Sequence, residues 1–159
     1  MKMTCKEDVR SHCLVNYGLE IFGDKWSLLI VRDIVFAGKK TYSEFLKSEE
    51  GFATNVLASR LAFLEEQEIL SKTPSSADGR KDFYALTEKG LDLIPILLNI
   101  VLWSAKHDPK SYKRRRKEFV ARLNRSVQKV SGEVKELVRN GGCIFPRERM
   151  SKTAAVRSA

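Results

Sequence analysis

A mainly α-helical fold with one small β element is what this sequence predicts, and three observations predict it. Leu57, Leu61 and Leu64 recur at i, i+4 and i+7, which marks a helix with one buried face. Residues 69–73 and 83–86 read as two short strands around a turn-rich stretch, with Ser75-Ser76 and Asp78-Gly79 as its turn signals. A long apolar run, interrupted by Asn99, follows from Leu93 to Trp103. A short helix with a polar outer face beside a basic hairpin is how a winged helix-turn-helix meets DNA.

Each element can be justified in order. Ser11 caps a first helix over about 13–22, which Gly23-Asp24 breaks. A second helix spans about 25–36, with Trp26, Leu29, Ile30 and Ile34 on one side. Thr41 and Glu44 form a T-x-x-E capping box that opens a short third helix. The turn at 48–51 leads into the fourth helix, with Thr54 as its expected N-cap. The two strands then form the wing, and Thr87 caps a long helix to about Lys106, with Pro95 kinking it or marking its first turns. So apolar a helix has more surface than one small domain can bury, and a dimer interface is the simplest cover. From about Tyr112 to Asn140 a last helix is expected, because Phe119, Leu123, Val127, Val130, Val134 and Leu137 recur at steps of 4, 4, 3, 4 and 3. The chain therefore divides into a DNA-binding and dimerisation domain (10–108), a C-terminal amphipathic helix (109–141) and a basic tail expected to be disordered (142–159).

Charge is unevenly placed. The net charge is +9, yet residues 1–100 carry 13 Lys/Arg and 15 Asp/Glu, while residues 101–159 carry 16 and 5. The basic balance therefore cannot be credited to the fourth helix, and phosphate contacts near it must come from local groups. The apolar run is too short to span a bilayer, and the N-terminus lacks the apolar region of a signal peptide. Three cysteines at wide spacing form no disulfide framework. These features point to the cytoplasm, without a membrane partner.

The segments C-L-V-N-Y-G-L-E-I-F-G-D-K-W from Cys13, T-Y-S-E-F from Thr41, F-A-T-N-V-L-A-S-R-L from Phe52 and D-G-R-K-D-F-Y-A-L-T-E-K-G from Asp78 occur in that order. Together they resemble the HxlR-type family of bacterial winged-helix transcription regulators. The resemblance covers about residues 13–108. It implies a homodimer on an inverted-repeat DNA operator, with the first helix and the helix after the wing in the dimer contact. It also implies that the counterpart of Thr54–Arg60 enters the major groove and that of Arg80-Lys81 sits at the wing tip. Leu14 stands where the family usually has proline.

The candidate DNA-binding residues follow from residue type as well. Asn55 and Ser59 lie one turn apart, away from the leucine stripe; Asn pairs bidentately with adenine, and Ser is less selective. Thr54 can donate to a phosphate at the helix N-terminus. The bland alternative for this face is solvated surface. Arg60 could serve a phosphate, a base or Glu44. Lys39, Lys40 and Tyr42 enter the third helix, whose end approaches the DNA backbone in a helix-turn-helix. Arg80 and Lys81 fall at the wing turn, where an ordinary charged hairpin tip is the competing reading.

Cys13, beside His12 and near a helix start, is a candidate redox sensor, because some family members use a cysteine at this position; an inert interface cysteine is the alternative. No C-x-x-C or H-x-x-H spacing supports a metal site, and no motif supports a cofactor or catalysis. A small-molecule effector is a further expectation, with a pocket between the long helix and the DNA-binding unit as its place and no residue pattern to identify its occupant. The rival function from another class is a winged-helix protein-interaction module, favoured by the near-neutral first 100 residues.

Overall fold

The computed structural model describes residues 12–75, 81–108 and 114–146. Its elements run α1 (Leu14–Phe22), α2 (Ser27–Ala37), α3 (Tyr42–Leu46), α4 (Thr54–Glu66), β1 (Leu70–Pro74), β2 (Asp82–Leu86), α5 (Glu88–Leu91), α6 (Ile94–His107), α7 (Arg114–Arg125) and α8 (Val127–Arg139). The fold is mostly helical with a two-stranded antiparallel wing, as its patterning requires.

α2 lies at the centre. Asp24 starts it: Oδ1 accepts the N–H groups of Trp26 at 2.8 Å and Ser27 at 3.0 Å. Ile30, Val31, Ile34 and Val35 are buried along its length. Gly38 ends it in the left-handed region at φ 66°, and the N–H groups of Gly38 and Lys39 reach back to the carbonyls of Ile34 and Asp33. That reversal folds the Lys39 side chain onto the last turn of α2, where its Nζ meets Asp33 Oδ2 at 2.7 Å. The capping box of α3 is present in full, with Thr41 and Glu44 serving each other's backbone N–H.

In α4 the stripe of Leu57, Leu61 and Leu64 is buried, together with Phe45 of α3. Its N-cap is Ala53 and not Thr54, which is instead the first helical residue; no side chain caps this end. The wing pairs Leu70 with Leu86 through to Pro74 with Asp82. Thr41 bridges to Phe83, and Tyr84 N–H donates to the Lys40 carbonyl at 2.7 Å. The entry to α3 is thereby bonded directly to the wing.

Three expectations change beyond the wing. The long helix after Thr87 is two helices: α5 stops at Leu91, and α6 restarts with Pro95 in its first turn, where a missing N–H costs nothing. The last helix is likewise two, broken at Ser126, whose extended backbone (φ −165°) and side chain cap α8 through Lys129 N–H at 3.2 Å. Val127 keeps the apolar phase across this break, which is why the stripe reads as continuous. Finally, the tail is docked at its start. Ile144 and Phe145 donate their N–H groups to the carbonyls of Val35 and Phe36 at 2.9 and 2.8 Å, completing the end of α2. Phe36, Phe119 and Phe145 form a mutual aromatic cluster with centroids 5.7–5.9 Å apart. The rest of the tail, 147–159, lies outside the described residues.

α7 and α8 join the main core, with Phe119, Leu123, Val130 and Val134 in the same buried cluster as Ile30 and Leu98. Arg139 grips Glu88 of α5 with two hydrogen bonds, Nε to Oε1 at 2.9 Å and Nη2 to Oε2 at 2.8 Å. Lys135 meets Asp92 at 2.6 Å. No described helix is long and apolar enough to cross a membrane.

Candidate nucleic-acid interface

The outer face of α4 follows by subtraction. The leucines fix one side inward, which leaves Thr54, Asn55, Ala58, Ser59 and Ala62 exposed on the other. Its first-turn N–H groups have no side-chain cap. An uncapped, exposed N-terminus carries positive dipole charge, which suits a phosphate. Tyr42 of α3 donates its hydroxyl to the Thr54 carbonyl at 2.9 Å, so Tyr42 holds the start of α4 in place. Lys40 stands exposed at the entry to α3, its Nζ 3.3 Å from the Gly141 carbonyl. Thr54, Asn55, Ser59, Tyr42 and Lys40 are thus gathered around the α3–α4 unit.

Two candidates are elsewhere. Lys39 is 7% exposed and ion-paired with the buried Asp33, so it cannot reach a phosphate without breaking a buried pair. Arg60 does not share the face of Asn55 and Ser59. It leans to the flank of α4, with Nη1 3.4 Å from Asp24 Oδ2 and its guanidinium 5.2 Å from the Phe63 ring centre. Its partner is therefore Asp24 and not Glu44. Lys81 is exposed at the foot of the wing, where its carbonyl accepts Ser75 N–H at 2.7 Å. Arg80 and the turn at 76–80 lie outside the described residues, as do Cys5 and the side chains of Arg114, Arg115 and Arg116.

Asp24 is the residue that sequence reasoning passed over as a helix breaker. Burial pushes its carboxyl up, but the Ser27 hydroxyl, the Trp26 and Ser27 N–H groups and Arg60 outweigh that and hold it below the usual carboxylate range. An ionised Asp24 caps α2 and tethers α4 at once. The signal was present in D-K-W-S, an acidic residue three before a helical serine. Trp26 then packs on Phe52 at 5.1 Å, bracing the turn before α4.

A second surface faces away from the core. α1 exposes Leu14 (88%), Val15, Tyr17 and Leu19, and α6 exposes Ile96, Ile100 and Trp103 (66%). Isolated exposed apolar residues are ordinary, but helical rows of them are candidates for an interaction face. Cys13 is exposed at the N-cap of α1, next to that row. Cys143 differs from a tail cysteine. It is half-buried against Gly38, and burial pushes its thiol up against the opposing pull of Lys40 and Phe145 N–H.

Known proteins resemble this arrangement. Residues 21–112 match the model of the HxlR-like helix-turn-helix family. An uncharacterized HTH-type transcriptional regulator of Mycobacterium tuberculosis is 31% identical over 96 residues, which is 60% of this chain and 60% of that protein. This chain therefore spans about 60% of the length of that relative. The HTH-type transcriptional regulator YodB of Bacillus subtilis is 29% identical over 84 residues, or 53% of this chain and 74% of YodB. Among solved structures, PA1607, a candidate transcription factor, aligns with a TM-score of 0.57 at 39% identity, covering 62% of this chain and 68% of its own. A MarR-family regulator from Porphyromonas gingivalis W83 aligns at 0.52 and 25% identity, covering 66% and 97%.

Proposed function

We propose, from the premise that the chain belongs to the HxlR-like helix-turn-helix family, that it is a DNA-binding transcriptional regulator and not an enzyme. It acts in the cytoplasm as a homodimer on an inverted-repeat operator. The observation that carries this reading is the exposed Thr54, Asn55 and Ser59 row on a helix whose uncapped N-terminus is held by Tyr42. Each α4 enters a major groove, the wings flank it with Arg80 and Lys81, and Lys40 meets backbone phosphates. The dimer forms through α1 and α6, whose exposed apolar rows need a partner. Half-sites are then about one DNA turn apart, roughly 10 bp.

Selection of bound duplexes from a random library tests this directly. An enriched inverted repeat is the expected result; binding without sequence preference would sink the reading. On the enriched site, Asn55→Ala should weaken binding by ~1–3 kcal/mol, and by little on unrelated duplexes. Equal losses on all sequences would remove Asn55 from base reading.

Cys13 supplies the signal input in this proposal. It sits at the dimer face, where oxidation or an electrophile would change packing between subunits; a small molecule bound near α6 is another route to the same end. Oxidant treatment should alter operator affinity several-fold in the parent and leave Cys13→Ser unaffected. A Ser variant that still responds would place the switch elsewhere.

A further inference from the structure

Of the four residues D-K-W-S that open α2, three have tasks inside the protein. Asp24 caps the helix and accepts the Ser27 hydroxyl at 2.5 Å. Ser27 is buried, and Trp26 packs on Phe52 just before α4. Lys25 is the exception. Its side chain is exposed, with Nζ 4.5 Å from the centre of the Trp26 ring, a contact that keeps the ammonium over this corner of the surface. Asp24, the carboxylate beside it in the chain, is met by Arg60, so Lys25 leaves a positive charge here that this pair does not cancel.

The DNA-reading region is short of such charge. Residues 39–89 carry eight Lys/Arg against nine Asp/Glu, and Lys39, Arg60 and Lys72 are already ion-paired. Duplex binding draws much of its affinity from phosphate neutralisation. A helix in a major groove, about 12 Å wide, lies between two phosphate strands and needs cations on both flanks. One flank of α4 has Tyr42 on the Thr54 carbonyl, with Lys40 at the entry to α3. Arg60 follows Thr54 by six residues, and at about 100° per residue the two side chains fall on opposite sides of the leucine stripe. The contacts of Asp24 with Arg60 and of Trp26 with Phe52 lay the start of α2 along that second flank.

We propose that Lys25 binds a DNA phosphate and makes the start of α2 the second edge of the interface. Lys25 meets the backbone strand on the Arg60 side of α4, and Lys40 meets the strand on the Thr54 side. This deepens the regulator reading above and rests on it.

The test is affinity against salt concentration for the parent, K25Q and K25R, on the selected operator and on a scrambled duplex. K25Q should flatten the salt slope by about one for each engaged subunit and weaken both duplexes several-fold, with their ratio unchanged. K25R keeps the charge and should keep the parental slope. Operators carrying one neutral methylphosphonate at a time then locate the contact. The position that no longer matters in K25Q should lie across the major groove from the one that no longer matters in K40Q. A parental slope in K25Q would overturn the proposal. So would an equal loss of slope in K25R, because charge would not be the cause, or a K25Q position on the same strand flank as that of K40Q. A parent without sequence preference sinks the regulator reading instead, whereas a sequence-selective parent with an unchanged K25Q slope sinks only the role of Lys25.

Discussion

Replacing Asp33 with alanine is expected to destabilise the protein by about 3–5 kcal/mol, because it strands a buried ammonium. Asp33 and Lys39 side chains are 5% and 8% exposed and 2.7 Å apart. Asp33 also accepts from Arg32, at 3.0 Å from Nε and 2.7 Å from Nη2, and Arg32 continues to Glu50 at 2.5 Å and Ser48 at 3.1 Å. The network ties the end of α2 to the turn before α4. Removing the carboxylate alone leaves Lys39 with no buried counter-charge. Removing both charges does not, so Asp33→Leu with Lys39→Met should recover most of the loss. Urea unfolding at fixed protein concentration gives both values. The same pair checks the reassignment of Lys39: Lys39→Met should leave the salt slope of DNA binding unchanged, whereas a phosphate contact would reduce it by about one.

The second large effect is expected at Trp103. It is 66% exposed in the single chain and meets the His107 ring at a tilt, with ring centres 5.0 Å apart. Tryptophan at the centre of an interface commonly carries ~2–4 kcal/mol. Trp103→Glu would put a charge into the dimer seam proposed above, with Ile96, Ile100 and the α1 row. The dimer dissociation constant should rise roughly 30- to 1000-fold, which converts 2–4 kcal/mol. Sedimentation at micromolar concentration should then show mainly monomer, with operator affinity falling in parallel because two half-sites are no longer read together. A variant that stays dimeric would move the interface off α6. Its folding is checked by its unfolding curve, since Trp103 makes little contact with its own core.

What was legible in the sequence was what is local. The T-x-x-E box, the leucine stripe and the wing strands each depend on residues a few positions apart, and each is where the pattern put it. Lys39 was misplaced because a basic residue before a helix-turn-helix looks solvent-facing. Its burial follows from the left-handed Gly38, which turns it back onto Asp33 six positions earlier. Arg60 found Asp24, 36 residues away, a pairing no local pattern encodes. Ser126 was hidden by a repeat that stays in phase across a break. The docked tail was the least legible, because Cys143, Ile144 and Phe145 find their partners more than 100 residues away, at the end of α2.

That last separation has a consequence for how the protein is made. The carbonyls of Val35 and Phe36 are made more than 100 residues before the N–H groups of Ile144 and Phe145 that satisfy them. Contacts so distant in sequence close late and slowly. Until they close, a nascent chain carries an uncovered Phe36 and an α2 whose last carbonyls are unsatisfied. The end of α2 is therefore completed only by residues 144–145, so a product truncated before residue 144 leaves the ribosome with that end of α2 open and an apolar surface prone to wrong contacts.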